Sequence, residues 1–281
     1  MPRPLTVACL QTRPQSSFQS ALDEALLRAD VAVSVGAELL LLPEYCGGLE
    51  TRNGAFVPPA ADEENHPVLQ GLQEFAALRS VWTVVGSVAV KAPDGRVFNR
   101  GYVIDNAGEI RARYDKLHLF DIDLHDARYR ESDVVSAGNE AVVFDTPFGR
   151  IGFTICYDLR FPQLYRELAQ AGAEMLLVPA AFTKQTGEAH WHVLNRARAI
   201  ETGSFVLAPC AVGSVHGGGE SYGHSLIVNP WGEVLVDAGK FPGVVHTTID
   251  LDEVAATRAR IPSWNLERPI EVCDGKGRAV A

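Results

Sequence analysis

Three residues of unlike chemistry each follow an apolar run in this chain: Glu44 after Leu39-Leu40-Leu41-Leu42, Lys116 after the run ending at Tyr114, and Cys156 after Ile151 to Ile155. In a mostly parallel sheet the carboxyl ends of the strands line one edge, where ligands bind. An acid, a cation and a thiol at one edge form a catalytic set. The carboxylate can take the thiol proton, and the ammonium can stabilise negative charge on a substrate oxygen. Singly, each has a plainer reading. Cys156 reads equally as a core thiol at a strand end, Glu44 as a surface acid, and Lys116 as the partner of Asp115 or Asp121.

The elements that must position them follow from periodicity. An apolar strand is read at 5–10. The spacing of Phe18, Leu22, Leu26, Ala29 and Val33 predicts a helical face, with Ser16 or Ser17 as N-cap and Gly36 as the stop. A covered strand follows at 37–42, a helix at 66–80, and strands at 81–90, 97–104 and 110–114. The acidic segment 121–140 reads as an ordered loop. The order then repeats: a strand at 151–156, a helix at 162–171 with Gly172 as its stop, and a strand at 173–179. A helix at 188–202 and strands at 204–210, 221–228 and 233–236 complete it. The segment Gly36-Ala37-Glu38-Leu39-Leu40-Leu41-Leu42-Pro43 matches Gly172-Ala173-Glu174-Met175-Leu176-Leu177-Val178-Pro179. Ile104-Asp105-Asn106-Ala107-Gly108-Glu109 resembles Val228-Asn229-Pro230-Trp231-Gly232-Glu233 in the same order. This duplication predicts an α/β protein: a four-layer α-β-β-α sandwich built from two similar halves. Residues 1–262 are read as one domain and 263–281 as a C-terminal tail, able to pack on a partner subunit.

Bulk properties narrow the function classes. The formal net charge is −10 and the acids and bases are interspersed, which argues against nucleic acid or an anionic membrane as partner. No apolar run approaches the length of a membrane span. Met1-Pro2-Arg3-Pro4 passes directly into a strand, so no signal peptide is expected. The five scattered cysteines contain no C-x-x-C pair, which points to a reducing, cytoplasmic setting rather than a disulfide framework. Cys9 and Cys210 are expected in strand cores, Cys273 in the tail, and Cys46 close enough to Glu44 to face the same edge.

Leu42-Pro43-Glu44, Tyr114-Asp115-Lys116-Leu117-His118-Leu119-Phe120 and Ile155-Cys156-Tyr157-Asp158-Leu159-Arg160-Phe161-Pro162 resemble the three signature blocks of the nitrilase superfamily of carbon–nitrogen hydrolases. The resemblance continues through Ala189-His190-Trp191, 196–201, Ser221-Tyr222-Gly223-His224-Ser225 and Pro230-Trp231-Gly232-Glu233-Val234. These later blocks resemble the small-amidase branch of omega-amidases and deaminated-glutathione amidases. The resemblance implies Glu44 as general base, Lys116 as oxyanion cation and Cys156 as nucleophile. It also implies a second glutamate about fifteen residues past the lysine, which Glu131 matches. The implied reaction is hydrolysis of a small linear amide through a thioester, with no metal or organic cofactor. The implied assembly is a homodimer or larger homo-oligomer. N-carbamoyl-amide hydrolysis, nitrile hydrolysis and an inactive scaffold with the same fold are the competing readings.

Tyr157, Arg160, Phe182, Thr183 and His190 are the expected substrate-binding residues. Arg160 reads either as a fork for a substrate carboxylate or as the partner of Asp158. His190 and His192 flank Trp191, and residues two apart on a helix do not share a face, so the two are not read as a metal pair. His216-Gly217-Gly218-Gly219 has no G-x-S-x-G to serve with and reads as a mobile hairpin loop.

Overall fold

The computed structural model describes residues 2–52, 55–123 and 128–274. The first strand, β1 (Pro4–Gln11), sets the layers. Leu5, Val7 and Cys9 face one core, and Ala8 and Leu10 face another. Alternate residues of a strand point to opposite faces, so a strand apolar on both is covered on both. Helix α1 (Phe18–Ser34) starts at Ser17, whose side chain accepts from Ser20 N–H at 3.3 Å. Its buried stripe is Ala21, Ala25, Ala29 and Ala32 rather than the line through Phe18, Leu22, Leu26 and Val33. Small residues let the helix lie close on the sheet, and the larger ones flank it, half-buried. Then come β2 (Leu39–Leu41), α2 (Pro67–Arg79), β3 (Trp82–Lys91), β4 (Val97–Ile104) and β5 (Ile110–Asp115).

The second half runs β6 (Val142–Asp145), β7 (Arg150–Phe153), α3 (Pro162–Gln170), β8 (Met175–Leu177), α4 (Lys184–Thr202), β9 (Phe205–Ala208), β10 (Leu226–Val228) and β11 (Val234–Asp237). Strand β12 (Gly243–Asp250) and helix α5 (Asp252–Arg260) follow. One sheet has the order β12-β1-β2-β3-β4-β5, and the other β6-β7-β8-β9-β10-β11. In each half the first three strands are parallel and the next two antiparallel. Each gains an antiparallel strand on its first edge: β12 on β1, and β6 on β7. The duplication therefore extends to strand order and direction. Gly36 and Gly172 sit at matching positions with φ of +83° and +94°, a conformation costly for other residues.

The sheets pack face to face. Val7, Leu39, Val84 and Val103 share a core with Ile151 and Phe153, and Tyr114 stacks on Phe153 with ring centroids 5.5 Å apart. Helices α1 and α2 cover the outer face of the first sheet, and α3 and α4 that of the second. The architecture is the expected α-β-β-α sandwich.

Several boundaries differ from the sequence expectation. Residues 221–228 are not one strand. Gly223 and His224, with φ of +76° and +53°, turn the chain. Glu220–Tyr222 pairs with Val212–Ser214 as a separate hairpin, while β10 stays in the second sheet. The loop of that hairpin docks on Thr51, whose N–H donates to His216 O at 2.8 Å. Helix α4 begins at Lys184 rather than 188. The acidic segment holds a strand pair, Asp121–Asp123 with Arg128–Arg130, and a 3-10 turn at Glu131–Asp133; residues 124–127 lie outside the described residues. After α5 the chain lies on its own α3: Arg166 donates to Ser263 O at 3.0 Å and pairs with Glu267 at 2.9 Å.

Candidate active site

Each signature block is fixed by a local device. After β2 the chain turns against β3, where the pairing register with β4 is interrupted between Val85 and Val88. Gly86 lies in this irregularity, and a Cβ there would sit 2.1 Å from Leu42 O, so only glycine admits the approach. Ser87 then holds the turn: its Oγ accepts from Tyr45 N–H at 2.9 Å and its carbonyl from Cys46 N–H at 3.0 Å. Glu44 is thereby aimed inward and is 4 % exposed. Lys116 directly follows β5, and its N–H donates to Asn99 O of β4 at 3.0 Å.

Cys156 opens a 3-10 turn after β7 with φ of +50°. Left-handed backbone at a non-glycine residue is strained and clusters at functional sites. Its N–H donates to Pro179 O at 2.9 Å. The buried Asp158 ties the turn down, accepting from Ile155 N–H at 2.8 Å, Tyr114 OH at 2.7 Å and His118 N–H at 3.0 Å. His118 Nδ1 lies 2.7 Å from Asp158 Oδ1, and its ring stacks on Phe161. The block carrying Lys116 and the block carrying Cys156 are thus locked to each other through one carboxylate.

The four expected residues converge. Lys116 Nζ lies 2.9 Å from Glu44 Oε1 and 2.8 Å from Glu131 Oε2, with all three side chains almost wholly buried. The pairings of Lys116 with Asp115 or Asp121 do not occur. Asp115 is held by Arg100 and Asp121 by Ser132. Glu131 also accepts from Tyr45 OH at 3.0 Å and Phe120 N–H at 2.7 Å, and Glu44 Oε2 from Ala181 N–H at 2.8 Å. Burial alone would lower the Lys116 pKa, but Glu131 and Glu44 outweigh it and hold the ammonium well above the ordinary lysine range. Burial, then the charge of Glu44, pushes the Cys156 thiol well above its ordinary value, with Lys116 opposing. The resting group is therefore a thiol, and its proton must leave as the sulfur attacks.

A narrow pocket, partly open to solvent, ends on this cluster. Tyr157, Phe182 and Thr183 line it. Arg160 stands beside it, its guanidinium over the rings of Tyr157 and Phe182 at 5.8 and 5.3 Å. It does not pair with Asp158, which is fully enclosed by its own partners, and among the described residues it has no carboxylate partner. His190 is not in the pocket. It is exposed, with Nδ1 3.3 Å from Arg160, because its turn of α4 faces outward. Cys46 also turns away, its thiol donating to Ser87 O.

Sequence reasoning missed Asn99, Tyr45, Phe56, Phe120 and Thr186. Asn99 is the central omission. It is fully buried, and its Nδ2 donates to Glu44 Oε1 at 2.9 Å and Glu131 Oε1 at 3.1 Å. Among the described residues, the grouping of His and carboxylate donors at metal-ligand spacing lies outside this pocket.

The model of the carbon–nitrogen hydrolase family matches residues 6–259, nearly the whole chain. The chain belongs to the carbon–nitrogen hydrolase family. It is similar to a deaminated glutathione amidase of Dictyostelium discoideum, 41 % identical over 204 residues that cover 70 % of this chain and 70 % of that protein. It is also similar to the Homo sapiens protein named omega-amidase NIT2, 36 % identical over 84 % of this chain and 85 % of the relative. Among solved structures, the Caenorhabditis elegans NitFhit protein superposes with a TM-score of 0.85 at 31 % identity. The match covers 94 % of this chain and 65 % of that longer one. This carbon–nitrogen hydrolase acts on bonds other than peptide bonds, and its reaction is of the amidase type.

Proposed function

We propose that this chain releases ammonia from small linear amides bearing a carboxylate, with Cys156 as nucleophile. Deaminated glutathione and 2-oxo-dicarboxylate monoamides are the leading substrates. The observation that carries the reading is the convergence of Cys156, Glu44 and Lys116 on one pocket, with the Lys116 ammonium held by two buried carboxylates.

Glu44 takes the thiol proton as sulfur attacks the amide carbon. The carbonyl oxygen gains negative charge between Lys116 Nζ and the backbone N–H of Tyr157, in the first turn of the 3-10 helix. Glu44 passes the proton to the leaving nitrogen, the C–N bond breaks, and ammonia departs from a Cys156 thioester. Water then attacks the thioester. Glu44 removes its proton and returns it to sulfur, which leaves the acid and the free thiol. Glu131 touches no reacting atom in this scheme; it holds Lys116 charged and in place.

Arg160, lacking a carboxylate of its own, is the fork for the substrate's. If so, Arg160→Lys raises KM for a dicarboxylic monoamide about tenfold or more with little effect on a neutral amide. An unchanged KM defeats the fork. The wider test is ammonia release over omega-amides, deaminated glutathione, N-carbamoyl acids and nitriles. Release of carbon dioxide with ammonia would favour a carbamoyl-amide hydrolase, and turnover of nitriles a nitrilase. Silence over the whole panel would favour an inactive scaffold. We further propose a homodimer in a reducing compartment. Val193 and Ile200 stand exposed on α4, with Trp231 nearby, and all five cysteines are free. No helix among the described residues is long and apolar enough to cross a membrane.

A further inference from the structure

His192 has partners that its sequence neighbours conceal. It comes from α4, His224 from the turn that breaks 221–228, and Asp237 from the end of β11. His192 Nε2 lies 3.0 Å from Asp237 Oδ2, and His224 Nδ1 lies 2.9 Å from Asp237 Oδ1. One donor atom from each of the three falls within 4.8 Å of the others. The two imidazoles meet edge to face, 71° apart with centroids at 5.2 Å, rather than stacked.

We propose that these three residues bind one divalent transition-metal ion of the zinc type, with water completing its coordination. Two imidazoles and a carboxylate suit such ions. Metal–ligand bonds of about 2.0–2.2 Å need donors roughly 3–3.5 Å apart. The His–Asp separations already approach that spacing, so the ion has chiefly to draw the two imidazoles together.

Two of the ligands are held by contacts outside the trio. The His224 carbonyl accepts from Trp191 Nε1 at 2.7 Å, and its N–H donates to Gly239 O at 2.8 Å. Its ring stacks on Tyr222 at 4.5 Å. Asp237 Oδ1 accepts from Gly239 N–H at 2.8 Å. His192 and Asp237 are each about one-third exposed, so an ion and its waters can enter. None of the three lines the catalytic pocket. The ion would be a staple rather than a reactant. It would tie α4, whose Thr186 lines the pocket, to the edge of the second sheet. In the absence of metal the same carboxylate can bridge both rings by hydrogen bonds alone, and that is the competing account.

The test uses the full chain carrying Cys156→Ala and Cys273→Ser, so that neither thiol supplies a ligand. After chelator treatment it is titrated with Zn2+ by calorimetry and with Co2+ by visible absorption, and melted with and without Zn2+. The expected results are one ion per chain, d–d bands on adding Co2+, and a Tm raised by several degrees. His192→Gln, which keeps size and a hydrogen bond to Asp237, should weaken Zn2+ at least tenfold. The same change in the chain with its cysteines intact should leave ammonia release unchanged. Asp237→Asn should weaken Zn2+ likewise. No heat and no Tm shift up to about 1 mM Zn2+, or an affinity that both substitutions leave untouched, would overturn the site and leave the hydrogen-bonded bridge.

Discussion

Replacing Asn99 by alanine removes an amide that spans both buried glutamates. Its Nδ2 gives Glu44 Oε1 and Glu131 Oε1 one hydrogen bond each, while Lys116 stays on both and Tyr45 stays on Glu131. A hydrogen bond to a charged group contributes about 1.5–3 kcal/mol. With the remaining donors absorbing part of the loss, the fold should lose roughly that amount once, a Tm drop of about 3–5 °C for a chain of this length. Asn99 is not among the pocket's lining residues, so its effect on rate must pass through the placement of Glu44 and Lys116. A displacement of about 1 Å at the reacting groups costs on the order of 100-fold. The prediction is kcat down about 100-fold with KM changed less than about threefold. Asn99→Asp sharpens it. A carboxylate about 3 Å from two others is opposed by roughly 5 kcal/mol per pair at an effective dielectric of 20, so its pKa rises and it holds a proton. Protonated, it donates one of the two lost bonds; ionised, it repels both glutamates. Its activity relative to wild type should therefore rise as pH falls and collapse as pH rises through that elevated pKa. Steady-state ammonia release from pH 5 to 9, beside circular-dichroism melts, measures both. A kcat within about threefold of wild type for Asn99→Ala, a loss wholly in KM, or a flat pH ratio for Asn99→Asp would refute the positioning role.

Alkaline stability follows from the buried thiols. Burial pushes Cys46 and Cys210 to about 12 and Cys9 higher still, and burial with the charge of Glu44 holds Cys156 well above the ordinary thiol range. The folded chain thus keeps protons that the unfolded chain gives up above about pH 8.5. Stability should be unaffected by these thiols below that pH, then fall by about 1.4 kcal/mol per pH unit for each. Denaturant midpoints that stay level from pH 8 to 10 would contradict it. Acid acts through His66, which caps α2 with Nδ1 accepting from Leu69 N–H and whose pKa burial lowers to about 4. A lowered pKa gives stability that is present above about pH 6.5 and lost as pH falls to 4, up to about 3 kcal/mol. His66→Asn, which can keep the cap without titrating, should flatten the denaturant midpoint across that window, and an unchanged slope would refute the assignment.

Much of this site was legible because its chemistry is carried by residue types that stand out at strand ends. Glu44, Lys116 and Cys156 interrupt apolar runs, and the matched Gly-Ala-Glu segments exposed the two halves. Asn99 was not legible. In Val97-Phe98-Asn99-Arg100 a polar residue on an alternating strand reads as facing solvent, and only the partners brought from positions 44 and 131 make it internal. The stripe of α1 misled because its alanines, not its leucines, meet the sheet. The break in 221–228 depends on positive φ at His224, a conformation its residue type does not announce. Strand β12 pairs with β1 along its whole length, from Pro4 with Asp250 to Gln11 with Gly243, a closure between chain ends that local pattern does not encode.

The most direct test of the catalytic scheme is the covalent intermediate. Reaction with a dicarboxylic monoamide, stopped by acid within milliseconds and digested, should give an acyl group on the peptide containing Cys156, with its mass equal to the substrate acyl. The adduct should be absent in Cys156→Ala, which should also release no ammonia. An acyl group on another residue, or ammonia release that survives Cys156→Ala, would contradict the scheme.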